Sequence, residues 1–291
     1  MPRKEKRAIS ETYQRYALGL AKNELLKRDP LAGEGSGRRQ ALVNQLIRRG
    51  VKGWPERGTF YTGLLAPGCI PCLGGRGSNL CLTTICTRDC FFCFNPKPRS
   101  EEISVHGLTI SSESDIPRIL AERGIRSVGI SGGEPLLKPD AVLRIIKILR
   151  GHFRETLRID LYSNGDRLTA SLLRDLHSAG LSGMRLNLAA NGYNPGPLET
   201  ALREFSDVSV EIPVIPRHVK RLQKMVREMA RIKAPRLILH ELFVSAQNAD
   251  ALRRLGMHAA DKMGEKLTWS PVAGSDEAAL ELILHCMDHA P

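Results

Sequence analysis

No apolar run in this sequence is long enough to cross a bilayer, and the N-terminus, MPRKEKRAISETYQRY, lacks the apolar stretch of a secretory signal. These two absences argue against a membrane or exported protein and predict a cytoplasmic one. Cysteine is scarce outside one stretch: of seven, six fall between Cys69 and Cys93, leaving only Cys286 elsewhere. A disulfide framework is not expected in a reducing compartment, so the crowding points to metal ligands. Repeats of solenoid length and low-complexity segments are also absent, which removes repeat scaffolds from consideration.

What is present is a chain of 291 residues, 42% hydrophobic, long enough for one large core of the α/β-barrel kind and a modest extension. The formal net charge is +12, and it is unevenly spread. Residues 1–52 hold roughly thirteen Lys and Arg against about five acids. Such a region suits an acidic macromolecular substrate, peptide or nucleic acid, and equally suits a solvated helix pair. Apolar spacing at Leu18, Leu25, Leu42 and Leu46 predicts helices over 8–28 and 37–49, parted by the breaker run Asp29 to Gly37. Tyr13, Tyr16 and Trp54, near basic residues, are candidates to stack on bases and fit ordinary packing as well. From Val51 to Asn79 Gly and Pro predominate, and a loop organised around ligands is expected.

Beyond that loop, strand and helix signals alternate. Strands are predicted at 80–84, 126–130, 157–162, 183–188, 207–214 and 236–244, and helices at 114–123, 139–150, 168–178, 197–205, 217–231 and 247–255. Six βα units imply a parallel sheet, either doubly wound or curled into a full or partial barrel, with sites at the C-terminal strand ends. The fold class is α/β, a (β/α)6 partial TIM-like barrel with an N-terminal helical extension. The expected organisation is a basic helical region over 1–53, a Cys/Gly-rich loop over 54–79, the barrel over 80–257 and a C-terminal extension over 258–291.

The chemistry concentrates in NLCLTTICTRDCFFCFNPKP. Cys86-x3-Cys90-x2-Cys93 presents three thiolates from one loop just after the first strand. A cubane cluster usually takes four cysteines, so three would leave one iron open to a non-protein ligand. Three thiolates and a fourth ligand would also suit tetrahedral zinc. One βα unit later, SVGISGGEPLL ends a strand in Gly132, Gly133, Glu134 and Pro135. Two glycines allow close backbone approach to a ligand, and a carboxylate accepts hydrogen bonds from an ammonium group.

Together, the cysteine spacing, Phe92 before the last cysteine and the Gly-Gly-Glu-Pro turn resemble the radical S-adenosylmethionine (SAM) superfamily. The GCxxCxxG segment, ISGGEPLL, IDLYSNG, EIPVIP and LHELFVSAQN are similar to a mostly uncharacterised group related to pyruvate formate-lyase activating enzyme. The resemblance covers 78–257. It implies a 4Fe–4S cluster on Cys86, Cys90 and Cys93, whose open iron binds SAM and whose electron cleaves it to a 5′-deoxyadenosyl radical that abstracts hydrogen from a substrate. It further implies that Glu134 and its turn hold the methionine ammonium, that Ser163 and Asn164 reach the ribose, and that Phe92 and Ile215 flank the adenine. Asn187 is a further polar contact. Ser163, Asn164, Asn187 and Ile215 also read as strand caps. A low-potential donor such as flavodoxin or ferredoxin would supply the electron. The alternative is an iron–sulfur or zinc protein for binding or electron transfer, without radical chemistry.

Other candidates lie outside these motifs. Asp160, Tyr162, Arg185, Glu211 and His240 stand on strands whose alternating side chains would hold a polar substrate if they face the barrel interior. Cys286, on an apolar C-terminal helix, is a candidate hydrogen donor to a substrate radical, or a core residue. Cys69 and Cys72, with Cys81, are candidates for a second metal site, zinc or iron–sulfur; Cys81 alone also reads as a small buried strand residue. After Leu255 no cysteine-rich segment for auxiliary clusters is found.

Overall fold

The computed structural model describes residues 37–55, 58–260 and 269–290. The helix expected at 8–28, most of the breaker run, and Tyr13 and Tyr16 lie outside the described residues.

The described chain begins with helix α1 (Gly37–Arg48), an antiparallel pair β1 (Lys52–Trp54) and β2 (Thr59–Tyr61), and a helical turn α2 (Cys69–Leu73). Strand β3 (Gly77–Thr83) leads through the cysteine loop to the hairpin β4 (Ile103–Val105) and β5 (Leu108–Ile110), then α3 (Asp115–Glu122). Regular units follow: β6 (Ser127–Gly132) with α4 (Pro139–Phe153), β7 (Arg158–Ser163) with α5 (Ala170–Ser178), and β8 (Gly183–Leu186) with α6 (Gly196–Leu202). Next come β9 (Val208–Val214) with α7 (Val219–Arg231), and β10 (Leu237–Glu241) with β11 (Phe243–Ser245) and α8 (Ala249–Arg254). Strand β12 (Trp269–Pro271), paired with β11, and helix α9 (Ser275–His289) end the described chain.

Six strands pair in parallel in chain order, β3-β6-β7-β8-β9-β10, and the β4–β5 hairpin extends the β3 edge antiparallel. The order never reverses, so the crossovers all step in one direction, which is barrel winding and not a doubly wound sheet. Side-chain alternation carries the curvature. Leu80, Leu82, Val128, Ile130, Ile159, Leu161, Met184, Leu186, Val208 and Val210 are buried among the helices. Their strand neighbours Asn79, Cys81, Gly129, Ser131, Asp160, Tyr162, Arg185, Glu211 and His240 line one cavity. A single cavity reached from all six strands requires the sheet to curl around it, as a partial barrel. Each fully buried Leu, Ile or Val contributes about 1.5–3 kcal/mol, so the outer face carries the fold and leaves the inner face free to be polar.

Two of the expected segments pack into the body of the fold. Helix α1 is not a basic appendage in its described part: Val43 and Leu46 pack on Leu280 and Leu284 of α9. Around this contact Arg38 pairs with Glu281, Arg39 with Asp276 and Arg49 with Asp288, so cations of the N-terminal side meet acids near the C-terminal end. The segment after 258 is likewise integral. Ser275 donates its hydroxyl to Val214 O (2.8 Å) and accepts from Leu242 N (2.7 Å), and Ala278 and Leu282 join the main core. Trp54 stacks at a tilt on Tyr61, 5.9 Å between rings, which is local packing of the β1–β2 pair.

Candidate active site

The cavity measures about 660 Å³ and opens at the C-terminal strand ends, where the loop after β3 carries Cys86, Cys90 and Cys93 onto its wall. Arg88 N donates to Cys86 Sγ (3.4 Å), as does Asn164 Nδ2 (3.6 Å). The loop is latched from outside. Arg88 and Thr87 both donate to Asp166, at 2.7 and 2.6 Å, and Asn164 Nδ2 reaches Thr87 Oγ1 at 2.9 Å. Burial, then the neighbouring Cys93 and Cys86, push the Cys90 thiol up to about 11. A cationic iron would deprotonate such a thiol, since metal binding displaces protons from its ligands. No group of three His, Cys, Asp or Glu among the described residues is gathered tightly enough to hold a single ion. Three thiols carried by one loop onto the cavity wall are a donor set that fits an iron–sulfur cluster with one iron left open.

The Gly-Gly-Glu-Pro turn sits against this loop, in a way the sequence did not disclose. Gly132 has φ +133°, and a Cβ there would lie 2.0 Å from Thr83 O; at Gly133 it would lie 2.0 Å from Ile85 O. Gly133 N donates to Thr83 O (2.6 Å) and Glu134 N to Ile85 O (2.9 Å). The glycines are thus demanded by the backbone of residues 83–85, and not only by a ligand. Glu134 is a correction to the expected ammonium site. It is fully buried: Oε1 accepts from Leu136 N (3.0 Å) and Ser163 Oγ (2.9 Å), and Oε2 from Asn164 N (2.8 Å). Burial raises its pKa, and these donors oppose the rise. The carboxylate staples the ends of β6 and β7 together, while Gly132 and Gly133 are what the cavity meets. Pro135 is buried at the start of the 3-10 turn that follows.

Ser163 and Asn164 line the cavity, yet both are committed to neighbours, Ser163 to Glu134 and Gly165 N, Asn164 to the cysteine loop. Asn187 lines it with Oδ1 buried and unpartnered. Such an atom awaits a donor. Phe92 lines the cavity and packs with Ile215, Leu242, Leu252, Met257 and Val272. Ile215 itself, 1% exposed, backs this cluster and is not a cavity wall. Sequence reading missed two asparagines. Asn95 Nδ2 caps Gly132 O at 2.7 Å, and Asn248 Nδ2 holds Phe92 O at 3.1 Å and Phe243 O at 3.0 Å. Asn95 follows Cys93 by two residues, and Asn248 ends the LHELFVSAQN segment, so position was the available signal.

Deeper in the barrel all five strand candidates converge. Arg185 bridges Asp160 (3.3 Å) and Glu211 (2.6 Å), its guanidinium lies 5.6 Å from the Tyr162 ring, and His240 Nε2 meets Glu211 Oε1 at 2.7 Å. Arg158 joins Asp160 to Asp207. Burial alone would raise the Glu211 pKa, but His240 and Arg185 more than offset it and hold the carboxyl below its usual range. Burial and the nearby Glu211 push the Tyr162 phenol well up.

The remaining cysteines divide. Turn α2 plugs the floor of the barrel: a Cβ on Gly68 would lie 2.4 Å from Asp160 Oδ2 and 2.5 Å from Arg185 Nη2, and Arg185 Nη1 reaches Cys69 Sγ at 3.6 Å. Cys72 adjoins Gly77, the first residue of β3, whereas Cys81 lies against Gly132 and Thr83 O at the other end. Four residues of extended strand separate these ends by about 13 Å, so Cys81 is not a ligand beside Cys69 and Cys72. Cys286 is likewise excluded as hydrogen donor to the cavity. Helix α9 packs on α1, α7 and the outer side of the sheet, Cys286 is not a cavity residue, and burial pushes its thiol up to about 11.

Residues 80–204 match the family model of the radical SAM superfamily. The matched span is a radical SAM domain. The superfamily implies a 4Fe–4S cluster and SAM, and the matched span contains the cysteine loop and the Gly132–Pro135 turn. A protein of Methanocaldococcus jannaschii named as a glycyl-radical enzyme activating enzyme is 27% identical over 234 residues, 75% of this chain and 60% of that one. A protein of Methanopyrus kandleri named as a GTP 3′,8-cyclase is 29% identical over 205 residues, 62% of this chain and 63% of that one. The chain thus spans less than two thirds of these relatives. The coproporphyrinogen III oxidase of Escherichia coli, whose structure is described as that of a radical SAM enzyme, is similar with TM-score 0.47 and 13% identity over 70% of this chain and 50% of that one. No helix among the described residues is long and apolar enough to cross a membrane.

Proposed function

We propose that this protein is a radical SAM enzyme that acts on a polar substrate held inside the barrel. When bound, the cluster and SAM supply an electron and a 5′-deoxyadenosyl radical that abstracts hydrogen from that substrate. Cys86, Cys90 and Cys93 hold the cluster; the Gly132–Gly133 backbone and Asn187 face SAM from the same wall; Phe92 gives an apolar surface beside them. Glu134, Ser163 and Asn164 act one step back, fixing that wall. The observation that carries the reading is this joint: a trio of thiols and a glycine turn, pinned by backbone hydrogen bonds at one mouth of a polar cavity.

The electron donor is of the low-potential flavodoxin or ferredoxin class, and the compartment is the cytoplasm. The relatives' names suggest two substrate classes, and charge weighs between them. Both arginines among the described cavity residues, Arg88 and Arg185, are ion-paired within the protein, which disfavours a nucleoside triphosphate and favours an uncharged hydrogen-bonding group of a small molecule or peptide. Single Ala replacements at Cys86, Cys90 and Cys93 test the assignment after anaerobic reconstitution with iron and sulfide. Each should lose most cluster absorbance, because a cubane short of one of three protein ligands is labile. A variant that keeps a full complement of iron would show that its cysteine is not a ligand.

A further inference from the structure

The floor of the cavity holds chemistry that the proposed reaction leaves unused. Turn α2 reads Cys-Ile-Pro-Cys, and it places Cys69 and Cys72 three residues apart on one helical turn. At that spacing the Cα atoms stand about 5 Å apart, within the window a disulfide spans. Cys72 lines the cavity and is exposed, while Cys69 is half-buried with its sulfur against Arg185. Arg185 is only 6% exposed in its side chain and fixed by Asp160 and Glu211, so it is a permanent cation beside one of the two sulfurs. Two thiols at disulfide spacing, one of them against a guanidinium that would repel a cationic metal, suit a redox pair better than a metal site.

We propose that Cys69 and Cys72 form a redox-active dithiol/disulfide couple on the floor of the substrate cavity, opposite the Cys86–Cys90–Cys93 loop, exchanging with small-molecule thiols and disulfides. The exchange runs in two displacements. The Cys72 thiolate attacks a small disulfide, forming a mixed disulfide and releasing one small thiolate. The Cys69 thiolate, held by Arg185, then attacks Cys72 Sγ, closing the internal bond and releasing the second. The two cysteines lose two electrons and two protons, and one disulfide reagent becomes two thiols. Arg185 is a positioning residue here, because it touches Cys69 and not the reagent. Burial, then the neighbouring Cys69, raise the Cys72 pKa, and Arg185 opposes that rise.

The couple is testable without a substrate. The anaerobically purified full chain is equilibrated across ratios of reduced to oxidised glutathione, quenched by alkylation and mapped by peptide mass. Cys69 and Cys72 fall in one tryptic peptide, which should pass reversibly from doubly alkylated to an internally bonded form that carries no alkyl group and is two hydrogens lighter than the free dithiol. In Cys69→Ser the internal bond cannot form, and Cys72 should carry a glutathione adduct instead. Arg185→Gln should leave less of the internally bonded form and more of the Cys72 glutathione adduct at a given ratio, and Arg185→Lys, which keeps a cation beside Cys69, should restore the bond, which a purely packing role would not do. Double alkylation at every ratio would overturn the proposal. So would zinc or iron that survives replacement of Cys86, Cys90 and Cys93 by Ala and disappears when Cys69 and Cys72 are also removed. SAM cleavage is measured on the same wild-type sample: cleavage without the couple refutes only the dithiol, and the couple without cleavage refutes only the radical reaction.

Discussion

At the scale of single residues, the decisive correction is Glu134. Its type and place in Gly-Gly-Glu-Pro suggest a ligand contact, but burial turns it into a staple satisfied by Leu136 N, Ser163 Oγ and Asn164 N. Glu134→Ala would strand those donors, and leaving a buried donor unsatisfied costs about 1–3 kcal/mol each, so destabilisation of about 3 kcal/mol or more is expected. Urea denaturation of the variant reads this; a stability equal to wild type would mean that Glu134 is not structural. Glu211 gives a prediction in pH. Its pKa is depressed in the folded state by His240 and Arg185 against the burial term, with Asp160 and Tyr162 the other groups nearby. An acid with a depressed folded pKa contributes stability that is present above its unfolded pKa and lost as pH falls through the folded one. Urea midpoints should therefore fall on acidification below the ordinary carboxylate range. In His240→Ala the fall should be smaller and level off at higher pH, because one of the two partners that depress the folded pKa is gone while the unfolded pKa, where the fall begins, is unchanged; an unchanged profile would remove His240 from the account.

At the scale of elements, the α1–α9 contact decides whether the N-terminal side is an accessory. The ion pairs around it are exposed and screened by salt, whereas Leu46, with no exposed surface, buries a full side chain. Leu46→Ala should therefore cost about 2–5 kcal/mol, and high salt much less than that. Deleting residues 1–50 should lower the thermal midpoint even with the cluster intact, by uncovering Leu280 and Leu284. An unchanged midpoint would restore a separable region. The contact was illegible in the sequence because it joins positions nearly the whole chain apart. The βα units were legible, since local periodicity sets them: the helices predicted at 139–150 and 217–231 form at Pro139–Phe153 and Val219–Arg231, and the strand at 207–214 at Val208–Val214. The β4–β5 hairpin was not foreseen. Its strands are three residues each, too short to display an alternation.

At the scale of the whole molecule, the sheet curls because one face is aliphatic and the other polar, and the polar face forms a chamber with thiols at both ends. The identity of the chamber's upper end was legible because the cysteine spacing and the glycine turn are local motifs. Its inner wall was legible only as strand candidates, because Asp160, Arg185, Glu211 and His240 meet through tertiary pairing that sequence distance hides. The central claim is that the upper thiols and the glycine turn together support reductive cleavage of SAM. The direct measurement is 5′-deoxyadenosine and methionine produced by the anaerobically reconstituted full chain with SAM and dithionite. The account predicts both products in equal amounts, dependent on the cluster and on reductant, even before a substrate is known. A protein that binds its full complement of iron and sulfide, is reduced by dithionite and yields neither product would contradict it.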